Sequence, residues 1–361
     1  VLMNTGGIAQ KLIDFAKILV GRIPGGLAHT NILGNTLFGS LSGSSVAASV
    51  AIGGVLIPME EKEGYDKKFA AAVNIASAPT GLIIPPSGIL IIYPVLAGCS
   101  VVGMIMSGYI PGLMWALACM VVAYVIAKKN HYPTAGKVPA SVFFKYFVDA
   151  IPSLLLIVII VGGVMSGIFT ATESAAVAVA YTLFLSIVVY RSIKIKDLPK
   201  ILLDACETTA VIMFLIAGSN VMSFVMSFTG LPSAIGNALI SVSSNKYVIL
   251  LIINLVLLVV GCFMDITPAV LIFTPIFLPV VQSFGMDPIH FGIMMVMNLG
   301  IGNITPPVGS ALFSGCSVAD MDMEDMIKPI LPFYAAIFVA LMLVAYVPWF
   351  SMALPTLFGA V

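Results

Sequence analysis

The 361-residue chain is 60% hydrophobic and only 9% charged, and its 16 lysines and arginines balance its 16 aspartates and glutamates. A soluble domain carries about a quarter of its residues as charges, so this composition, with a mean hydropathy of +1.13, excludes a soluble domain and places the chain in a bilayer. The zero formal charge and the lack of any long lysine/arginine run exclude nucleic acid as a partner.

In chain order, residues 1–25 read as an amphipathic surface helix, 8–20, and a linker. Residues 26–59 are an apolar stretch split by the run from Gly39 to Ser45 into two arms of about 15 residues. At 1.5 Å per residue each arm reaches about 22 Å, short of the ~30 Å hydrocarbon core, so the pair is predicted to be a re-entrant hairpin. Next, 66–97 is long enough to span but interrupted at Pro79-Thr80-Gly81 and Pro85-Pro86-Ser87-Gly88, which predicts a discontinuous helix with half-helices facing a gap. Plain spans follow at 104–127, 147–169, 174–190 and 203–228, and a second surface helix begins at Thr229-Gly230. A second hairpin (247–282, broken from Gly261 to Pro268), a second broken helix (288–318, interrupted from Gly300 to Gly309) and a last span at 329–350 complete the chain. This reading gives hairpin and broken-helix units at 26–103 and 247–320, separated by plain helices and a surface helix at 104–246 and followed by a C-terminal span at 321–361.

The second hairpin and broken helix repeat the first at an offset of 221 residues without a gap. Pro58, Gly64, Asp66, Pro85, Pro86, Gly88 and Pro111 meet Pro279, Gly285, Asp287, Pro306, Pro307, Gly309 and Pro332. An apolar helix precedes the second copy and none precedes the first, so N-terminal membrane segments are expected to be missing. If each hairpin contributes no net crossing, fifteen of the sixteen lysines and arginines fall on one side, the cytoplasmic side by the positive-inside bias, and Lys246 alone on the other. Five crossings then separate Asp66 from Asp287, and an odd number inverts the copies, bringing the hairpin tips together near the midplane. The expectation is an all-α polytopic membrane protein with an inverted repeat. Broken segments at matching positions mark a transporter's binding site, because unwound backbone at membrane depth must line a cavity.

The tips carry the chemistry. Ser42-Gly43-Ser44-Ser45 offers hydroxyls and exposed carbonyls of the kind hard cations such as Na⁺ require, although small residues also serve close helix packing. Asp265, in Met264-Asp265-Ile266-Thr267-Pro268, is an ionisable group deep in an apolar stretch, which marks a sodium or proton site; the other reading is a carboxylate that caps the following half-helix, with Thr267 doing the same. Thr80, Gly81, Asn303 and Thr305 would add oxygens to the cation sites. Half-helices starting near Ser87 and Val308 aim positive dipole ends at the same space, which suits an anionic substrate held near Ser44, Ser45, Ser87, Gly88, Thr267 and Pro307. His29 reads as a packed histidine, Glu173 and Glu207 as helix-end groups, and Asp320, Asp322, Glu324 and Asp325 as a solvated loop. The single cysteines Cys99, Cys119, Cys206, Cys262 and Cys316 read as packing residues, without metal or disulfide spacing. Catalysis is disfavoured, since Ser42 has no histidine partner and Asp265 no second aspartate at matching depth.

The motifs FGSLSGSSVA, IPMEEKEGYD, IIPPSG, PVLAGCSV, GCFMDITPA, FGMDPIHFGI and NITPPVG together resemble the large membrane subunit of tripartite ATP-independent periplasmic (TRAP) transporters over essentially the whole chain. The resemblance implies an elevator-type transporter of the bacterial inner membrane, Na⁺ as coupling ion, a small four-helix membrane subunit and a periplasmic substrate-binding protein that delivers an organic acid such as a C4-dicarboxylate or sialic acid. It also implies one sodium site near Ser42, Ser44, Ser45 and Pro85 and another near Asp265, Thr267, Asn303 and Thr305, with the substrate between the tips. Two positions depart from the family pattern: Ala48 where an acidic residue is common, and Phe228 where an arginine is common. With no lysine or arginine at membrane depth, the substrate carboxylate is left to dipoles, hydroxyls and Na⁺. The alternative is a stand-alone Na⁺- or H⁺-coupled anion symporter that needs no binding protein.

Overall fold

The computed structural model describes residues 8–134, 140–230, 234–235, 238 and 245–360, and every regular element among them is helical. The amphipathic helix Ile8–Val20 buries Leu12, Ile13, Phe15 and Ala16 and leads into two antiparallel arms, Gly26–Ser42 and Ser45–Lys62. The first broken helix comprises Lys67–Ser77, the short turn Thr80–Ile83 and, after a gap, Ile89–Ala97. Helices Val101–Ser107 and Tyr109–Lys129, a helix over 140–165 with a π-helical turn at Val158–Gly162, a helix over 171–189 and the long helix Leu198–Thr229 follow. The second copy has arms Lys246–Phe263 and Ile266–Ser283 and broken-helix segments Pro288–Asn303 and Ser310–Val318. Met323–Tyr346 and a short helix, Trp349–Leu357, close the chain. Seven helices among the described residues are long and apolar enough to cross a membrane. The chain is therefore an all-α, multi-pass membrane protein.

Two helices form the centre. Lys67–Ser77 is buried from Phe69 to Ser77, and Pro288–Asn303 from Ile289 to Asn303. Because such a helix has no solvent face, its polar groups need internal partners. Asn35 Nδ2 donates to Asn74 Oδ1 (3.0 Å) in the first copy, and Asn298 Nδ2 donates to Asn254 Oδ1 (2.7 Å) in the second, so each hairpin arm is tied to its own broken helix by an asparagine pair. Glycines permit the close approach that these pairs require. A Cβ on Gly81 would collide with the backbone of Gly39, and a Cβ on Gly302 with that of Gly261. Tyr93 Oη donates to the carbonyl of Pro288 (2.6 Å), joining the two copies. The Pro85-Pro86 and Pro306-Pro307 peptides are both cis.

Several breaks are narrower than the sequence suggests. The hairpins interrupt only at Gly43-Ser44 and Met264-Asp265, so their arms run to 17 or 18 residues rather than about 15. Gly39 and Gly261 serve helix packing, and Ser40 Oγ returns its hydroxyl to the Leu37 carbonyl (2.9 Å), so neither residue type ends its helix. Pro79-Thr80-Gly81 does not open a gap either. Ala78 and Pro79 keep right-handed helical angles, and the chain becomes extended only at Ile84. The second broken helix likewise continues through Gly300 to Asn303, and the half-helices start at Ile89 and Ser310, near Ser87 and Val308 as expected. The span expected at 104–127 is present as Val101–Lys129, with a slight break at Gly108, whereas Glu207 lies exposed within a helix rather than near its end. Cys206 is exposed rather than packed. The second surface helix expected after Thr229-Gly230 lies outside the described residues.

Candidate cation and substrate site

The first tip is built from backbone requirements. Helix Gly26–Ser42 ends at Gly43, whose φ of 63° favours glycine, and the Gly43 N–H closes on the Gly39 carbonyl at 2.7 Å. Ser44 then caps the next arm, its Oγ accepting from the Ala47 N–H at 3.2 Å. Ser42 Oγ donates to the Gly39 and Ser44 carbonyls, both at 3.4 Å. The second tip has no glycine. Met264 is extended, and Asp265 occupies the N-cap position of Ile266–Ser283 without a side-chain capping bond. The capping reading of Asp265 is therefore not realised. Its carboxylate instead accepts from Ser310 Oγ at 3.4 Å, beside the N-terminus of the half-helix Ser310–Val318, where the helix dipole favours negative charge.

Both tips face one cavity of about 440 Å³. Ser42, Gly43, Ser44 and Ser45 line it from the first copy, and Asp265, Ile266, Thr267 and Asn303 from the second. Gly88 and Ile89, at the start of the first half-helix, complete that side, and Thr208, Val211, Ile212 and Leu215 of Leu198–Thr229 form the opposite wall. Asn303 joins the copies: Nδ2 donates to Ser45 Oγ at 2.7 Å, while Oδ1 accepts from Ser310 Oγ and from the Ala311 N–H at 3.3 Å. The break of the second copy is fixed to its own hairpin by the N–H groups of Val308 and Gly309, which share the Cys262 carbonyl at 3.2 and 3.4 Å. One carboxylate, several hydroxyls and unwound carbonyls, in a cavity whose polar groups are otherwise neutral, form the oxygen-rich set that a hard cation takes.

Other expected site residues are elsewhere. Thr80 is fully buried, donating to the Ser77 carbonyl at 2.7 Å and accepting from Thr36 Oγ1 at 3.3 Å, and Gly81 is the contact against Gly39. Pro85 is buried in the cis dipeptide, and Thr305 donates to the Ile301 carbonyl at 2.6 Å. Ser87 lies behind the tip, lining an adjoining cavity of about 430 Å³ between the first break and helices 171–184 and 198–229, where its buried hydroxyl has no hydrogen-bond partner. Pro307 is exposed on a third crevice with Val46 and Val308. Of the two departures from the family pattern, Ala48 is fully buried and Phe228 is 86% exposed. Sequence reasoning missed Ser310, which bonds to both Asn303 and Asp265, and Thr208 on the far wall. Ser310 carries a local signal, as the first residue after Pro-Pro-Val-Gly, whereas Thr208 stands in a featureless apolar helix.

The family model for the DctM component of the tripartite ATP-independent periplasmic transporters matches residues 1–350. The chain belongs to this family. It is 39% identical over 357 residues to the C4-dicarboxylate TRAP transporter large permease protein DctM of Pseudomonas aeruginosa, covering 99% of this chain and 84% of that one. It is equally similar, over the same shares, to the sialic acid TRAP transporter large permease protein SiaM of Vibrio cholerae. An uncharacterized protein, YgiK, of Salmonella typhimurium is 52% identical over 359 residues, 99% of this chain and 82% of that one. This DctM-family chain is a transporter permease subunit, not an enzyme.

Proposed function

We propose that this permease drives uptake of an organic acid across the bacterial inner membrane with a Na⁺ gradient, working with a small four-helix membrane subunit and a periplasmic binding protein. The observation that carries the reading is the shared cavity. Two tips from matching positions of two sequence copies face it, and Asn303 bonds across them. We assign cation coordination to Asp265, Thr267, Asn303, Ser44 and Ser45, with Ser42 adding carbonyl or hydroxyl oxygen. The substrate carboxylate is held at the start of the half-helix Ile89–Ala97 by backbone N–H groups and by the bound cation. The acid class follows from the relatives, whose names specify C4-dicarboxylate and sialic acid.

An elevator motion accounts for the packing. The moving body on this reading holds both hairpins and both broken helices, and it includes Tyr109–Lys129 and Met323–Tyr346. Trp115 Nε1 donates to the Ala76 carbonyl at 2.9 Å, and Phe333 and Ile337 are fully buried in the same core. The sequence boundaries at 104 and 321 assign those two helices to the scaffold, so the placements differ in a testable way. The fixed frame is then 140–165, 171–189 and Leu198–Thr229, the last exposing Phe214, Phe224 and Phe228 to lipid or to the small subunit. Uptake of labelled C4-dicarboxylates and sugar acids into proteoliposomes, with and without a Na⁺ gradient and the binding protein, tests the proposal. Uptake that needs both supports it, uptake independent of the binding protein favours the stand-alone symporter, and indifference to Na⁺ removes the cation assignment.

A further inference from the structure

Glu60 stands in the last turn of the arm Ser45–Lys62 and is completely buried, and neither carboxyl oxygen makes a hydrogen bond of normal geometry, although the Asn31 amide stands beside it. It is the one fully buried carboxyl among the described residues. Its neighbours in sequence, Glu61 and Glu63, are exposed. An unpaired carboxylate in such a place is strongly disfavoured, which favours the neutral acid. Position on the helix adds to this, because a negative charge at a helix C-terminus opposes the macrodipole.

The Asn31 amide of the facing arm stands beside the Glu60 carboxyl, and its Nδ2 is also buried without a partner. Asn31 Oδ1 accepts from Asn35 Nδ2 at 3.0 Å and has a second lone pair free. A carboxylic acid and a primary amide are complementary: the acid O–H donates to the amide oxygen while the amide N–H donates to the acid carbonyl. The carboxylate makes only the second of these bonds. Only the protonated form can close both bonds of such a pair.

Among the described residues, no lysine, arginine or histidine hydrogen-bonds to either Glu60 oxygen. Among those same residues, Glu63 in the turn that follows disfavours a negative charge on Glu60 and the Asn31 amide favours one, while Tyr65 stays a neutral phenol. The helices packed against this arm carry His29 of Gly26–Ser42, Lys67 and Lys68 of the first broken helix and Cys316 of the last half-helix, and Lys68 is paired with Asp325. The surface helix adds Lys11, Asp14 and Lys17, of which Lys11 is paired with Asp149 at 3.4 Å.

We propose that Glu60 is a proton-binding site, a neutral acid paired with Asn31 that locks the base of the first hairpin, and that loss of its proton to water releases that base. The carboxyl O–H bond breaks and the proton passes to bulk solvent through the exposed turn at Glu61-Lys62-Glu63. The sign follows from linkage. The folded state holds a proton that the unfolded chain releases in the ordinary carboxylate range, so the contribution to stability is complete below that range and is lost as pH rises toward the folded value. Buried glutamates titrate as high as about pH 8–9, which sets the range to survey at roughly pH 6–9.

The test is hydrogen–deuterium exchange of residues 26–62 in the full chain in nanodiscs across that range, comparing wild type with Glu60→Gln so that the intrinsic pH dependence of exchange cancels. Glutamine keeps the shape and the amide pairing without the titration. Protection in the wild type should fall at least several-fold relative to Glu60→Gln as pH rises, and parallel profiles overturn the proposal. Should Glu60→Gln fail to assemble, infrared spectroscopy of the wild type decides. A protonated-carboxyl C=O band present at neutral pH and lost at alkaline pH supports the site, and the absence of any such band rejects it.

Discussion

The two hairpin tips close similar two-residue breaks with different chemistry. At the first, a glycine at positive φ makes the turn and Ser42 and Ser44 commit their hydroxyls to backbone groups of the same tip. At the second, an extended Met264 makes the turn and the N-cap carboxylate of Asp265 forms no cap, facing the cavity with only a 3.4 Å contact to Ser310. A serine that donates its proton to a carbonyl still offers oxygen lone pairs to a cation, but only a carboxylate brings charge. The first tip thus supplies neutral oxygens, whereas the second supplies the charge.

Asp265→Ala probes the difference most strongly. Removing the one carboxylate of the cavity should weaken the Na⁺ dependence of uptake by about tenfold or more, or roughly 1.4 kcal/mol of cation affinity, measured as the half-saturating Na⁺ concentration. An unchanged value removes Asp265 from the site. The glycine crossings ask whether the copies are equally constrained. Gly81→Ala and Gly302→Ala should each destabilise by about 1–3 kcal/mol through overpacking against Gly39 and Gly261, read as a loss of thermal stability in detergent. A cost in one copy alone would show that the other backbone yields.

Asn303→Ala leaves Ser45 and Ser310 without their shared partner and should cost about 1–3 kcal/mol. Both stability and Na⁺ affinity should fall, whereas a purely structural residue would lower stability alone. The smallest effect is expected from Ser44→Ala with Ser45→Ala, where loss of the cap costs about 1 kcal/mol and uptake falls by less than in Asp265→Ala. Wild-type uptake in the double variant would make the first tip a packing element only.

Much of this was legible in the chain. Pro85-Pro86 and Pro306-Pro307 mark the broken helices because proline removes a donor and disfavours helix before it, and the 221-residue offset pairs the two copies. Break widths were not legible, since Gly39, Gly81, Gly261 and Gly302 have the composition of a turn yet provide room for helix crossing. Thr80 and Thr305 donate their hydroxyls to carbonyls one turn back and stand outside the lining of the cavity between the tips, a placement that proximity to the prolines does not reveal. The Asn303–Ser45 bond spans 258 residues and appears only when the copies are folded together. Charge pattern alone cannot separate Glu60 from its exposed neighbours, because burial there depends on the facing arm.

The most direct measurement is the thermal stability of the purified permease as Na⁺ is titrated at constant ionic strength against K⁺, for the wild type and for Asp265→Asn. A ligand that binds only the folded state stabilises it by RT ln(1 + [L]/Kd), about 2.7 kcal/mol at one hundred times Kd. The account predicts a rising Tm with Na⁺ but not with K⁺ in the wild type and a much smaller rise in Asp265→Asn. Equal responses to the two cations, or an undiminished Na⁺ response in the variant, would contradict a cation site between the tips.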